Sequence, residues 1–193
     1  MTSSDLTLLP DDAKSRASAR VGTAIDGSPS ERGGAAVRVG LACAEFNGGI
    51  TDRLLTGALD ALDEAGCDLA RTVLVWAPGA FELPVVAQKL ALSESVDAVI
   101  CLGAVIRGDT GHYDFVAGEC ASGLQRVQLD TGIPVVFGVL TTDTVDQALA
   151  RSADDEANKG REAALTALAT VAALSSVASL SAGSRVGFSV GRR

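Results

Sequence analysis

From Val37 onward, short apolar runs alternate with longer segments whose apolar side chains recur every three or four residues. That alternation restricts the chain to parallel β-strands joined by crossover helices, because only such strands are apolar on both faces. The predicted strands are VRVGLAC, RTVLVWA, DAVICLGAVI and PVVFGVL. All four, RTVLVWA included, are expected to be buried on both faces. Between them ITDRLLTGALDALDEAG, which stops at Gly66, and LPVVAQKLALSE, with Pro84 at its start, read as helices. A third helix is expected from about Tyr113 to Leu129, a short fourth at Thr144 to Arg151, and a long last one from near Lys159 to Leu180. The expected fold class is α/β, a three-layer sandwich with a four-stranded parallel sheet flanked by helices and right-handed crossovers.

The domain reading follows from where this pattern starts and stops. Residues 1–36 are rich in Ser, Asp, Gly and Ala, include the SPSERGG stretch and lack apolar periodicity, so they read as a flexible extension. The folded domain is expected over residues 37–180, and residues 181–193 read as a flexible tail. The longest mainly apolar stretch, Ala163 to Leu180, carries threonines and serines throughout, and Met1 to Pro10 has no basic start followed by an apolar block. Neither a membrane span nor a secretory signal is expected.

Charge and cysteine content remove several function classes. Sixteen basic and twenty-four acidic side chains give a net charge of -8, which repels a nucleic-acid backbone. Cys43, Cys67, Cys101 and Cys120 lie far apart, and one histidine is too few to complete a zinc site with them, so no metal is expected. Cys43 and Cys101 fall inside predicted strands, where a free thiol acts as a small hydrophobe in a reducing compartment, and the cytoplasm is the expected location. No G-x-x-x-x-G-K-[ST] loop, G-x-G-x-x-G after a strand, or G-x-S-x-G elbow is present.

In a parallel α/β sheet, ligands collect at the carboxyl ends of the strands. Four loops stand there: Glu45 to Asn47, Pro78 to Glu82, Arg107 to His112, and Thr141 with Thr142. The third, within GAVIRGDTGHYDFV, is the richest. Its glycines and Thr110 can turn amides toward an anion near a helix start, and His112 is the one side chain there that titrates near neutral pH. A surface or capping histidine is the plainer alternative. Glu82 suits hydroxyl groups as an acceptor, although a carboxylate at a helix start is favoured by the helix dipole in any case. Phe46 can stack on a planar heterocycle or simply fill core space. Arg151 and Lys159 stand in an acidic stretch where surface ion pairing would account for them, and Lys159 and Glu162 share a helix face. From the residues alone, the reading is a phosphate-and-heterocycle site with one histidine.

Five blocks, AEFNGGITDRLLTGALDAL, PGAFELPVVAQKLA, GAVIRGDTGHYDFV, PVVFGVLTTDTVDQALAR and NKGREAALTAL, resemble lumazine synthase in order and spacing from Val37 to Leu174. The resemblance implies a flavodoxin-like topology. It also implies condensation of 5-amino-6-(D-ribitylamino)uracil with 3,4-dihydroxy-2-butanone 4-phosphate to 6,7-dimethyl-8-ribityllumazine, without cofactor or metal. By resemblance, Phe46 stacks on the pyrimidine, Ala80, Phe81 and Glu82 meet the ribityl chain, and backbone groups of Ala104, Val105 and Ile106 read the uracil edge. Asp109, Thr110 and Arg151 meet the phosphate, and Phe137 reaches the pyrimidine from a neighbouring subunit. His112 transfers protons, with Lys159 and Glu162 as a charged pair beside it.

The resemblance further implies a homo-oligomer, either a pentamer or a sixty-subunit shell, in which the stretch near Ala35 to Arg38 joins a neighbour's sheet. Riboflavin synthase is the protein partner it suggests. The chain departs from the family pattern in its long lead-in, in SADDEA where a glycine-containing basic segment is usual, and in the tail after Leu180. Three other readings compete. A riboflavin synthase of archaeal type would need no phosphate site, so Arg151 and the GDT turn argue against it. A non-catalytic homologue could bind flavin or lumazine, or form a capsid-like scaffold. A flavodoxin-like electron carrier would need more aromatic residues and a phosphate loop after the first strand.

Overall fold

The computed structural model describes residues 37–183, with side chains to residue 180, together with Ala19. The flexible extension and most of the tail expected from the sequence therefore lie outside the described residues. Four strands form one parallel sheet in the order β2-β1-β3-β4, with β1 Val39–Ala44, β2 Val73–Ala77, β3 Ala98–Ile106 and β4 Val135–Thr142. The helices are α1 Gly48–Glu64, α2 Leu83–Ala91, α3 His112–Thr131, α4 Val145–Arg151 and α5 Lys159–Gly183. The described residues 37–175 belong to one compact unit, and α5 from Ser176 onward belongs to a second.

Successive side chains of a strand point to opposite faces, and the two halves of the core divide accordingly. Val39, Leu41 and Cys43 of β1 and Ile100 and Leu102 of β3 pack with Leu54 and Leu62 of α1 and Ala164, Ala167 and Leu168 of α5. Ala42 and Ala44 of β1 and Val99 and Cys101 of β3 pack with Leu83 and Leu90 of α2 and Cys120 and Leu124 of α3. β1 is buried along its whole length and β3 to its last residue but one, as apolar runs covered on both sides require.

The expectation that the second strand is buried on both faces fails. β2 is a sheet edge paired with β1 alone, and Val73, Leu74 and Trp76 are exposed in the single chain. Two short turns of 3₁₀ helix, Leu69–Arg71 and Ala80–Glu82, were also not expected from the pattern. The last helix, Lys159–Leu180, is long and apolar enough by length and composition alone to cross a membrane. Its Ala163, Ala164, Ala167 and Leu168 are buried against the sheet, which is how a core helix uses the same composition.

Local chemistry sets the ends of the elements. α1 ends two residues before Gly66, whose φ of 78° is open to glycine without strain, and the Gly66 and Cys67 amides donate back to Asp63 and Leu62. Gly132, with φ 70°, ends α3 in the same region. Thr144 caps α4 by accepting from the Gln147 amide at 3.2 Å. The strand order reverses between β1 and β3, which opens a crevice at their carboxyl ends.

Candidate active site

That crevice is a cavity of about 670 Å³ built from the ends of β1 and β3, the segment after β2 and the start of α3. Asn47 adopts a left-handed φ of 59° just after β1, and its side-chain amide donates to the Ala104 carbonyl of β3 at 2.9 Å, tying the two lips of the crevice. The Glu45 and Phe46 amides donate to Ala77 and Pro78 carbonyls at 2.8 and 3.1 Å, which continues the β1–β2 pairing beyond the strands. The Phe46 side chain is thereby carried out into the cleft, 72% exposed. Phe81 stands 55% exposed on the same cleft, so two aromatic faces are available to a planar ligand.

Ala80, Glu82, Ala104, Val105, Ile106, Thr110 and His112 line this cavity with them. Glu82 sits just ahead of α2 but caps nothing, and among the described residues its carboxylate accepts no hydrogen bond. Glu82 therefore stands at a helix start, as the helix dipole favours, while its oxygens stay free of side-chain capping and open to a ligand. His112 is the first residue of α3, and its amide faces the Thr110 hydroxyl at 3.4 Å. Gly108 and Thr110 line the cleft near this helix start, where unpaired amides favour an anion. Asp109, expected beside them, does not line the cleft in this chain.

Phe137, Arg151, Lys159 and Glu162 are elsewhere. They line a second cavity of about 610 Å³ along the β4 edge, between the latter half of α3, the end of α4 and the start of α5. Within one chain Lys159 and Glu162, expected beside His112, line this second cavity and pair with each other on the β4 side. Sequence proximity could not decide this, because α3 and α5 flank opposite faces of the sheet. Arg151 donates to the Gln147 carbonyl at 3.3 Å and has no carboxylate partner among the described residues, which leaves most of its planar donor set open.

Several contributors escaped the sequence reading. Tyr113, Phe115 and Val116 line the first cavity. Phe115 and Val116 follow His112 by three and four residues, so helical spacing from the histidine carries that signal. The Asn47 bridge has no such signal, since its partner lies 57 positions away. Arg107 was placed in the third loop without a role, yet it pairs with Asp143 at 2.9 Å and Asp114 at 3.2 Å and lies 4.0 Å over the Tyr113 ring. Burial pushes the Cys43 and Cys120 thiols up to about 12 and raises Cys101 well above its ordinary value, so none of the three supplies a thiolate near neutral pH. Among the described residues no cluster of three or more His, Cys, Asp or Glu is arranged to hold a metal ion.

The model of a family described as 6,7-dimethyl-8-ribityllumazine synthase matches residues 36–175. A curated protein of Protochlamydia amoebophila (strain UWE25), described by the same words, is 50% identical over 131 residues, covering 68% of this chain and 76% of its own length. The matched span includes every residue of both cavities.

Proposed function

The chain belongs to the 6,7-dimethyl-8-ribityllumazine synthase family, an enzyme family of riboflavin biosynthesis, and from that premise we propose how its two clefts divide the reaction. The first cleft holds 5-amino-6-(D-ribitylamino)uracil. Phe46 stacks on the pyrimidine, backbone groups of Ala104, Val105 and Ile106 read its edge, and Ala80, Phe81 and the open Glu82 carboxylate take the ribityl chain. The second substrate, 3,4-dihydroxy-2-butanone 4-phosphate, is a phosphate monoester. Its phosphate lies at the start of α3 against Gly108 to Thr110 and is completed by Arg151.

The observation that carries this reading is the division itself. The histidine cleft has aromatic faces, a free carboxylate and a helix start, but among the described residues no lysine or arginine lines it. The open guanidinium, Arg151, lines the cleft at the β4 edge together with Phe137 and the Lys159–Glu162 pair. A complete centre therefore joins the first cleft of one copy to the second cleft of its neighbour, in a pentameric ring. Oligomerisation of this kind supplies residues, and the exposed Val73, Leu74 and Trp76 of the β2 edge provide a surface for it.

The chemistry follows from these placements. The amine of the uracil attacks the ketone, water leaves to form an imine, phosphate is eliminated, and the ring closes with loss of a second water. Each step moves a proton, and His112 at the mouth of the cleft is placed to take and return them. Holding both substrates in one pocket removes the entropic cost of a bimolecular encounter, which supplies much of the remaining acceleration. The free, buried cysteines suit a reducing compartment, and the cytoplasm is assigned on that ground.

The test is absorbance at the lumazine band after purified protein is mixed with both substrates, beside a His112→Ala control. Product above the spontaneous background is expected from the wild type. A folded, oligomeric wild type that yields none overturns the assignment.

A further inference from the structure

We propose that Arg107 is a positioning residue for this reaction, tethering the loop that carries Gly108, Thr110 and His112 to the end of β4. The proposal rests on the function assigned above and deepens it. Arg107 follows directly on β3, and its amide donates to the Thr142 carbonyl at 2.9 Å, extending the β3–β4 pairing by one residue. Its guanidinium then reaches in two directions. Nε donates to Asp143 Oδ1 at 2.9 Å, in the turn between β4 and α4, and Nη1 donates to Asp114 Oδ1 at 3.2 Å, in the first turn of α3. The same planar group lies 4.0 Å over the ring of Tyr113.

These contacts close a short bridge around an otherwise loosely held segment. Between Arg107 and His112 the backbone passes through two glycines. The hydrogen bonds within this stretch among the described residues are His112 to Thr110 and Asp114 to Gly111. Among the described residues, no other side-chain hydrogen bond ties the Gly108 to Thr110 stretch to the end of β4. Asp143 is itself fixed, since its amide donates to the Gln147 side chain at 2.9 Å within the capped start of α4. A planar cation that donates to two carboxylates at fixed angles and stacks on an aromatic ring suits this task better than a flexible ammonium. Arg107 does not act on substrate directly: its guanidinium is committed to carboxylates and does not line the cleft.

The experiment measures steady-state kinetics for wild type, Arg107→Gln, Asp143→Ala, the double variant and Arg107→Lys, each checked for folding by thermal melting. Both single variants are expected to raise the KM for the phosphate substrate about tenfold, while the KM for the pyrimidine stays within about twofold. The double variant should be no worse than either single one, because both cut the same bridge. Arg107→Lys should recover part of the loss. A merely structural role would shift both KM values and the melting temperature together, and that pattern, or an unchanged KM for the phosphate substrate in both single variants, overturns the proposal. A wild type without turnover removes the assigned function and the proposal together. An active wild type whose variants show no split removes the proposal alone.

Discussion

His112 and Arg151 line different clefts of the same chain: the histidine opens α3 beside the ends of β1 and β3, and the arginine closes α4 at the β4 edge. On the proposed reading, a centre that uses both draws them from two copies. Mixing His112→Ala with Arg151→Ala chains, unfolding them together and refolding should therefore restore activity, although each variant alone is nearly inactive. With random assembly of equal amounts, about a quarter of the inter-subunit centres carry both wild-type residues, so about a quarter of wild-type turnover is expected. Mixed oligomers no more active than the separate variants would contradict a shared centre.

The His112→Ala chain by itself should separate chemistry from binding. Phe46, Glu82 and the β3 backbone are untouched by the substitution, so pyrimidine affinity should hold, while loss of a general acid–base group lowers turnover by roughly 100-fold. Titration with the lumazine product, followed by fluorescence, measures the first quantity and steady-state assay the second. Weakened binding with intact turnover would refute the proton-transfer role.

Two glycines should respond to alanine with opposite signs. A Cβ at Gly160 would lie 1.8 Å from the Leu54 carbonyl oxygen, and a backbone atom in the middle of α1 cannot step aside cheaply. Gly160→Ala is expected to cost about 3 kcal/mol or to prevent folding, since overpacking here forces α1 and α5 apart. Gly118, inside α3, meets nothing within 4 Å, so Gly118→Ala should stabilise by about 0.5 to 1 kcal/mol through helix propensity. Urea midpoints of the two variants check both signs.

Arg38 and Asp97 give the fold a defined acid sensitivity. Arg38 donates through Nε and Nη2 to the two oxygens of Asp97 at 3.1 and 2.7 Å, joining the segments that enter β1 and β3. This hydrogen bonding holds the Asp97 carboxyl below its ordinary range. A depressed carboxyl stabilises the fold above its unfolded value near 3.9, and the contribution disappears as pH falls through the lower folded value. Asp97→Asn should lower the urea midpoint at neutral pH, with the gap to wild type narrowing as pH falls from about 3.9 through the lower folded value. A gap of equal size at neutral pH and at about pH 2.5 would show that charge is not its cause.

The chain's own pattern was enough for the strands, the helices and the four loops at the carboxyl ends, because each depends on near neighbours. Apolar runs mark strands, three-and-four spacing marks helices, and Gly66 and Gly132 mark the stops within a residue or two. The first cleft was legible for the same reason: Phe46, Glu82 and His112 sit directly after strand ends, where such folds collect ligands. Burial of β2 was misjudged because VLVWA reads the same whether a strand is central or at an edge, and only strand order distinguishes the two.

Tertiary structure decided the rest. Which face of the sheet α5 covers, and hence that Lys159 and Glu162 belong with Arg151 on the β4 side, depends on how the crossovers close. The Arg107 bridge to Asp143 spans 36 positions, and the approach of Gly160 to Leu54 spans more than a hundred. The sequence by itself determined the local elements and the residues at their ends, since periodicity, turns and caps act over a few residues. The pairing of those residues into two separate clefts was left to packing, because contact between distant segments is a property of the whole core.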